Sequence, residues 1–522
     1  MAVKTLRTLF QICLGVFCLT AVAGAVLSVR REDAFVWLAW FCICYALLLA
    51  LRNIGSGALS WLMLFSAGLS AAYLINRDWE AREGWIAVLT PIYRGLAMLH
   101  LPMDLIRPHS ADGAMLALVP LQIAAVRTRY AAGRSTWMWI ATAGFALMML
   151  VGGGSKGTLL LLPAAVGAGM WGTRLFSGQM LGRLVSPPWS WGVLTLCALF
   201  SGPLARIVVV ERPWLSTSIE FAFDYWLTGV GIGNFPLAFS LYRAVLPTPY
   251  LPGAQNLFLD VWLGHGVIGL IAFVGLCMAA WSIGVRLLRR DHGIDVVWRA
   301  AALGSLLIVL VQGMFDDPYY DGGRMLPVLG LVLAVVVRET RSCASVPGRD
   351  EVSGVTVPPV MAMLAGRGRT FSYGLTLCAA SLVVVLAAQP VVRAAVLANI
   401  GAVLQTRVEL RVIGDAPAND VTRRGVAAEL MTAECFFRRA LEIDDGNALA
   451  HLRLGQLMLI RRELSGARGH LEAAWSANPS GRAERLLLGE TLWRLGDVAE
   501  ADAMWRGVRQ WEFSIEARRS QE

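Results

Sequence analysis

Residues 206–270 read RIVVVERPWLSTSIEFAFDYWLTGVGIGNFPLAFSLYRAVLPTPYLPGAQNLFLDVWLGHGVIGL, a polar and irregular interval between two long apolar runs. This interval holds several basic residues, a glycine-dense turn over residues 229–235, and the pair Gln255-Asn256 just before the next apolar run. Irregular backbone beside a membrane must lie outside the hydrocarbon layer, where loops commonly carry the functional residues. We therefore expect a large loop at about 206–261 to hold the site.

The composition of the whole chain predicts a polytopic membrane protein. Hydrophobic residues make up 56% of the 522 residues and charged residues only 16%, too little charge to cover a soluble protein of this size. The net charge of +9 comes mostly from arginines at the ends of apolar runs, which suits membrane lipids as partners and not nucleic acid. The nine cysteines lie mostly inside apolar runs, so we expect no disulfide framework and no metal cluster.

Apolar runs predict the membrane helices, because a span needs about 20 predominantly apolar residues. Such runs cover residues 8–28, 34–51, 57–75, 113–126, 135–152, 156–174, 188–210, 262–284, 299–315, 323–338 and 373–392. Residues 84–101 are ambiguous, since Arg94 and His100 favour an interfacial helix over a span. The predicted fold is therefore all-α, with about 11 spans, or about 12 if this segment crosses.

The basic loops predict the orientation of these spans. Arginines cluster at 127–134, 286–299 and 338–369, and the positive-inside rule places all three clusters in the cytoplasm. The loop at 206–261 and everything after the last span then lie outside. The N-terminus is cytoplasmic if residues 84–101 do not cross, and external if they do.

The C-terminal part of the chain has a different character. We divide the chain into a membrane domain at 1–395, a linker at 396–419, and a charged, helix-periodic region at 420–522. In that region Leu454-Gly455 recurs as Leu488-Gly489, 34 residues later. This register resembles the tetratricopeptide repeat, which implies paired helices that dock a protein partner. The alternative is an appendage that only stabilises the fold.

Cations and glycines of the loop are the candidate binding groups. An arginine guanidinium presents a planar fork of donors that matches phosphate oxygens, although a single cation at this depth is often only a lipid anchor. The glycines permit close approach of backbone to a ligand, or tight packing of the loop itself. The candidate substrate-binding residues are Lys156, Arg206, Gly229, Gly231, Gly233, Asn234, Arg243 and Asn256.

Four short motifs occur in order along this region: SKG at 155–157, RPW at 212–214, GVGIGNF at 229–235, and AQN at 254–256 before GHGVIGL. In order and spacing they resemble the O-antigen ligase and polymerase family over roughly residues 1–340. The resemblance implies metal-independent glycosyl transfer from an undecaprenyl-pyrophosphate-linked glycan, without a cofactor, at the outer face of a bacterial inner membrane. In that family, arginines stabilise the departing pyrophosphate and a histidine assists the acceptor hydroxyl.

The chain departs from the family pattern at two positions. Lys156 stands where the family has arginine, and Gln255 stands where it has histidine. An amide can orient a hydroxyl but cannot accept its proton near neutral pH. Asp260 either replaces the lost base or is a structural residue of the helix entry, and His265 lies too far along the helix to replace it.

The candidate catalytic residues are therefore Gln255, Asp260 and Arg212. Because the ligase-type histidine is missing, we favour polymerisation of surface polysaccharide over ligation. The alternative is a non-catalytic scaffold or export component of a polysaccharide system, which would act through its repeat region. A solute transporter has little support, since the chain lacks paired half-repeats.

Overall fold

The computed structural model describes residues 3–52, 54–76, 108–153, 156–175, 214–243, 253–291, 293–315, 320, 323–339, 388–413 and 424–506. These residues form helices and turns, and no strand occurs among them. Two bodies can be distinguished. The first is a bundle of apolar helices with the loop helices at one end, and the second is an array of helical hairpins near the C-terminus.

The helices of the bundle and loop are α1 (Val3–Leu27), α2 (Arg31–Leu51), α3 (Ser56–Leu62), α4 (Phe65–Asn76), α5 (Pro108–Ala131), α6 (Trp137–Gly153), α7 (Lys156–Leu175), α8 (Trp214–Asp224), α9 (Phe235–Arg243), α10 (Leu257–Leu288), α11 (Ile294–Gly313) and α12 (Leu326–Val337). The array comprises α13 (Pro390–Ile413), α14 (Ala427–Ile443), α15 (Ala448–Arg461), α16 (Leu464–Ala477), α17 (Arg482–Leu495) and α18 (Val498–Trp505).

Five of the described helices, α1, α2, α10, α11 and α13, are long and apolar enough to cross a membrane. Shorter apolar helices accompany them, so the chain is a helical membrane protein with several potential spans. Helix α13 is the exception among the five, because it buries Asn399, Gln405 and Glu409 against the array and the loop helices. That contact assigns α13 to the array. The predicted span at 188–210 lies outside the described residues, and so does the predicted span at 373–392 as far as residue 387.

Small residues let the apolar helices of the bundle approach one another closely. In a membrane, close packing of this kind holds helices together, because no hydrophobic effect drives them out of the lipid. Helix α1 packs most extensively on α10, where Gly24 meets Gly264 at one end and Gly275 meets Cys13 further along. The residue numbers of these contacts fall along α1 as they rise along α10, so the two helices are antiparallel. Helix α11 packs on α5 and α7, and Gly304 of α11 lies against Ala168 of α7.

Helices α3 and α4 occupy the run that we predicted as one span at 57–75, and the helix breaks after Leu62. Helix α4 lies antiparallel to α5: Gln122 Nε2 donates to Ser66 Oγ at 2.7 Å, and Ser70 Oγ lies 3.2 Å from Met115 Sδ. The C-terminal end of α4 and the start of α5 therefore point towards the same end of the bundle. The ambiguous segment 84–101 lies outside the described residues.

One end of the bundle is held by ion pairs, and we call it the Arg face. Arg299 is buried and pairs with Asp291, and Arg338 pairs with Asp295. Arg7 of α1 pairs with the residue after Arg338, so the N-terminal end of the chain lies at the same face. The predicted basic cluster at 286–299 and the start of the third cluster at 338 are thus brought together.

The opposite end of the bundle is the loop face. It comprises the α1–α2 connection at 28–30, helices α8 and α9, and the turn at 253–256 that starts α10. The array packs on this face, because α13 contacts α9 and its residue Asn399 donates to the backbone of α8. The loop and the C-terminal region therefore share one side of the bundle, and the Arg face lies on the other.

The array is built from three helical hairpins: α13 with α14, α15 with α16, and α17 with α18. In each hairpin a glycine of the first helix lies against a large side chain of the second; the pairs are Gly401–Phe437, Gly455–Leu471 and Gly489–Trp505. Phe437, Leu471 and Trp505 are buried and follow one another at the 34-residue spacing found in the sequence. The same register therefore fills the seam of every hairpin.

Our linker prediction for 396–419 is wrong over most of its length. Residues 390–413 form α13, which supplies the first helix of the array. No 34-residue match marks this helix, because Gly401 is separated from its partner Phe437 by a longer connection than in the later hairpins. The array thus begins about 30 residues before the predicted boundary at 420.

Candidate functional site

The turn that carries Gln255 is the most constrained part of the loop face. Gln255 has a φ of +56°, a left-handed conformation that is uncommon for a residue other than glycine. The backbone N–H groups on either side of it donate to one carboxylate: Ala254 N to Asp260 Oδ1 at 2.7 Å, and Asn256 N to Asp260 Oδ2 at 3.2 Å. A strained backbone conformation of this kind persists only where surrounding interactions hold it in place. The turn is therefore rigid, with a partly exposed Gln255 at its centre.

Asn256 joins this turn to two helices. Its Oδ1 accepts from Leu259 N at 3.0 Å, which caps the N-terminus of α10, and its Nδ2 donates to Met314 O at the end of α11 at 2.8 Å. Asparagine is a preferred N-cap residue because its side chain satisfies a helix N–H that has no partner within the helix. The predicted substrate-binding role of Asn256 is not needed to explain its position.

Asp260 is accounted for by the same geometry. Its side chain is buried, and both carboxylate oxygens accept backbone N–H groups of the turn. Of the two interpretations offered by the sequence, this arrangement favours the structural helix-entry residue over the general base. Asp260 holds the Gln255 turn in place and is therefore a positioning residue of the site.

The glycine turn joins three elements of the loop face. Gly229, Gly231 and Gly233 all have positive φ angles, as the turn requires. A Cβ at Gly229 would lie 2.4 Å from Leu263 O of α10, and one at Gly231 would lie 2.9 Å from Gly24 O of α1. These contacts explain the glycines by packing, which was the alternative to backbone approach by a ligand.

Asn234 closes the glycine turn onto the connection between α1 and α2. Its Oδ1 accepts from Ser28 Oγ at 3.2 Å and from Val29 N at 3.1 Å, while its Nδ2 donates to Val230 O at 2.9 Å. The side chain is 2% exposed. Asn234 therefore binds the loop to the bundle, and the described contacts give it no surface for a substrate.

Helix α10 is kinked at Gly266, a feature that the sequence analysis missed. Gly266 has φ 73° and ψ 178°, and Val267 N donates to Trp226 O of the loop at 2.8 Å instead of continuing the helix. A Cβ at Gly266 would lie 1.8 Å from Leu227 O, so only glycine fits. The one available signal was the glycine spacing of GHGVIGL, which equally suits close helix packing.

His265, which precedes the kink, is enclosed by aromatic residues. Its ring stacks on Phe17 at a centroid distance of 4.5 Å, and its Nδ1 lies 3.3 Å from Thr20 Oγ1. Trp37 and Tyr320 pack against its edges, and His265 is 3% exposed. This burial agrees with our expectation that His265 does not replace the histidine missing at 255.

The structure does not test whether the four candidate cations converge on the Gln255 turn, because two of them lie outside the described residues. Lys156 is the first residue of α7 and Arg243 is the last residue of α9. Arg206 and Arg212 lie outside the described residues. Arg243 belongs to a loop-face helix, and convergence of the four charges on the Gln255 turn stays a prediction.

The loop and the array share a buried apolar cluster, and beside it lies a group of polar contacts that we call the joint. Arg453 of α15 donates to Asp224 Oδ2 at 3.2 Å and to Tyr225 Oη at 3.1 Å, and Tyr225 Oη lies 2.5 Å from Thr406 Oγ1 of α13. Burial raises the pKa of Asp224 to about 7 despite the nearby guanidinium of Arg453, and Glu484 adds to the rise. The joint fixes the array to the loop through groups that are costly to separate.

A scan against models of known protein families finds no match to this chain, and a search of curated proteins finds none either.

Proposed function

We propose that this protein transfers or polymerises a glycan carried on undecaprenyl pyrophosphate, in the manner of the O-antigen ligase and polymerase family, during surface polysaccharide assembly. The observation that carries the proposal is the Gln255 turn. It is a strained, rigid turn held by Asp260 and Asn256, and it occupies the position where the family has its histidine. Strained backbone that the surrounding structure must hold in place is concentrated at functional sites.

The proposed reaction makes one bond and breaks one. The acceptor hydroxyl oxygen bonds to the anomeric carbon, and the bond from that carbon to the pyrophosphate oxygen breaks, leaving undecaprenyl pyrophosphate. Preorganised cations would stabilise the charge on the leaving group without a metal, a role for Arg212 assisted by Arg206, Arg243 and Lys156. The amide of Gln255 would orient the hydroxyl, whose proton would pass to water or to the pyrophosphate.

The proposed orientation places the Arg face in the cytoplasm and the loop face outside, in the periplasm of a diderm bacterium. Basic residues concentrate at the cytoplasmic ends of membrane helices, and the Arg face gathers the arginines of two predicted cytoplasmic clusters. The N-terminal end lies at the same face, which favours the cytoplasmic alternative for the N-terminus. In this orientation the array is periplasmic.

We further propose that the array is a tetratricopeptide-like domain that recruits a protein partner. Three hairpins with one repeated register support this, since such arrays present extended surfaces for binding. The joint would place that partner beside the Gln255 turn, because α8 carries Asp224 and also contacts α10. Polymerisation is favoured over ligation because the ligase-type histidine is absent.

A scaffold without catalysis is the second candidate. The observation that favours it is that Asp260, Asn256 and the glycine turn are all used to hold the loop together. A loop of this kind could persist after the chemistry is lost, and the array would then carry the function.

Deletion of the gene and complementation distinguish these two functions. The readouts are surface-glycan length on gels and lipid-linked oligosaccharide by mass spectrometry. An enzyme predicts short or absent glycan with accumulated donor, no complementation by Arg212→Ala or Gln255→Ala, and full complementation by the control Arg468→Ala, which alters a partly exposed residue of the array. A scaffold predicts that both loop variants complement and that only a chain truncated at 420 fails. Unchanged glycan and no accumulated donor after deletion would reject both.

A further inference from the structure

Two histidines of the array face each other across the α15–α16 hairpin. His451 Nδ1 and His470 Nδ1 are 2.9 Å apart, and both side chains are partly exposed to solvent. His451 Nε2 lies 2.8 Å from Asp445 O. The hydrogen bonds described for both residues lie within the array, away from the Gln255 turn and the joint.

The hydrogen bonds fix which nitrogens carry protons. A backbone carbonyl only accepts, so Nε2 of His451 carries the hydrogen that Asp445 O receives. In the neutral imidazole, Nδ1 of His451 then has a free lone pair directed at His470. A carbonyl that fixes the tautomer and orients the ring is the usual outer support of a metal-binding histidine.

The imidazole of His470 can also present its Nδ1 lone pair to a metal. Neutral His470 can hold its proton on either ring nitrogen, and the guanidinium of Arg438 acts on it electrostatically. The positive charge of Arg438 is balanced by Glu434, at 2.7 Å, on the same helix. The lone pairs of both imidazoles are therefore available, since His470 can move its proton from Nδ1 to Nε2.

We propose that His451 and His470 bind a divalent late transition metal, with Cu²⁺ preferred, through their two Nδ1 atoms. Imidazole is a favoured ligand of such metals, and Cu²⁺ forms the most stable complexes of the divalent series. No third histidine, cysteine or carboxylate joins the pair among the residues that the structure describes. Water completes the coordination.

The distance between the nitrogens selects the geometry. With metal–nitrogen bonds of about 2.0–2.1 Å, two nitrogens 2.9 Å apart subtend about 90° at the metal, the angle between neighbouring ligands of a square-planar or octahedral ion. A tetrahedral Zn²⁺ site would need the nitrogens about 3.4 Å apart, so the two rings would have to separate by about 0.5 Å to bind Zn²⁺.

A metal bound by both histidines would cross-link α15 and α16. Helix α15 also carries Arg453 of the joint, so the ion would stiffen the hairpin that attaches the array to the loop. Because the cross-link acts on the folded hairpin, bound metal stabilises the array against unfolding.

The test uses full-length protein purified in detergent through a tag without histidine. Cu²⁺ is titrated into wild type, His451→Gln, His470→Gln and the control Ser465→Ala, which alters an exposed residue of α16 and keeps both imidazoles. We expect one saturable Cu²⁺ per chain in wild type and control, a higher melting temperature with metal, and affinity weaker by more than about tenfold in each histidine variant. Wild-type affinity in both histidine variants, or no saturable binding in wild type, would overturn the proposal.

Electron paramagnetic resonance of the wild-type complex tests the same site without any substitution. We expect hyperfine coupling from two imidazole nitrogens, and a change of that pattern when the histidines are labelled with ¹⁵N. Coupling to fewer than two imidazoles would contradict the assignment even if the histidine variants fail to fold.

Discussion

Replacing Arg453 with methionine tests the joint between loop and array most sharply. The Arg453 and Asp224 side chains are 7% and 15% exposed, so the substitution leaves a carboxylate buried without its counter-charge. Loss of one partner of a buried pair costs about 3–5 kcal/mol. We expect Arg453→Met to lower the stability of the array by that amount at pH 8. A urea titration of the full-length protein measures this loss of stability, with unfolding of the array monitored by limited proteolysis of residues 388–506.

The stability of the joint depends on pH, and the pKa of Asp224 determines the direction of that dependence. The pKa of Asp224 is raised to about 7 in the folded protein, above its ordinary 3.8. The stability that this group contributes is therefore complete below pH 4 and is lost as pH rises through 7. Ionising it costs about 4 kcal/mol over that range, from 1.36 kcal/mol per pKa unit. We expect Arg453→Met to be milder at pH 5, where Asp224 can be neutral.

A matched control and a rescue make the prediction refutable. Arg411 pairs with Glu429 on the array surface, where both side chains are 56% exposed, so Arg411→Met should cost less than about 1 kcal/mol. Adding Asp224→Asn to Arg453→Met should recover stability at pH 8. If Arg453→Met matches the Arg411 control, or costs the same at pH 5 and pH 8, the account of the joint is wrong.

Three further substitutions test the kink, the array and the turn. Gly266→Ala should destabilise by more than about 2 kcal/mol, because its Cβ meets Leu227 O and its φ is positive; a melting temperature equal to wild type would contradict the kink. Trp505→Ala should cost about 3–5 kcal/mol in the array unfolding assay, and a loss below about 1 kcal/mol would contradict its place in the seam. Gln255→Gly should relieve strain and stabilise by up to about 1 kcal/mol while failing to restore glycan in the deletion strain; full restoration would remove the amide from the proposed reaction.

The apolar pattern predicted most of the bundle because a span is a local property of the sequence. The runs at 8–28 and 34–51 correspond to α1 and α2, and the run at 299–315 corresponds to most of α11. Charge placement similarly anticipated which helix ends meet at the Arg face. These features depend on residues that are near one another in the chain.

Features that depend on distant residues could not be predicted in this way. Helix α13 is apolar enough to resemble a span, and only its buried polar contacts with α8 and the array reveal its place. The pair Asp224–Arg453 joins residues 229 positions apart. Asp260 illustrates the same limit, since its position one turn into α10 suited both a base and a structural residue until its backbone partners were known.

The central claim is glycan transfer from a lipid pyrophosphate, and one measurement addresses it directly. Purified protein in liposomes is supplied with lipid-linked oligosaccharide extracted from the deletion strain, in the presence of a chelator, and undecaprenyl pyrophosphate is quantified by mass spectrometry. The account predicts release of undecaprenyl pyrophosphate together with longer or transferred glycan in wild type, and release abolished by Arg212→Ala. Donor that stays intact with wild-type protein, or release that is unchanged in Arg212→Ala, would contradict it.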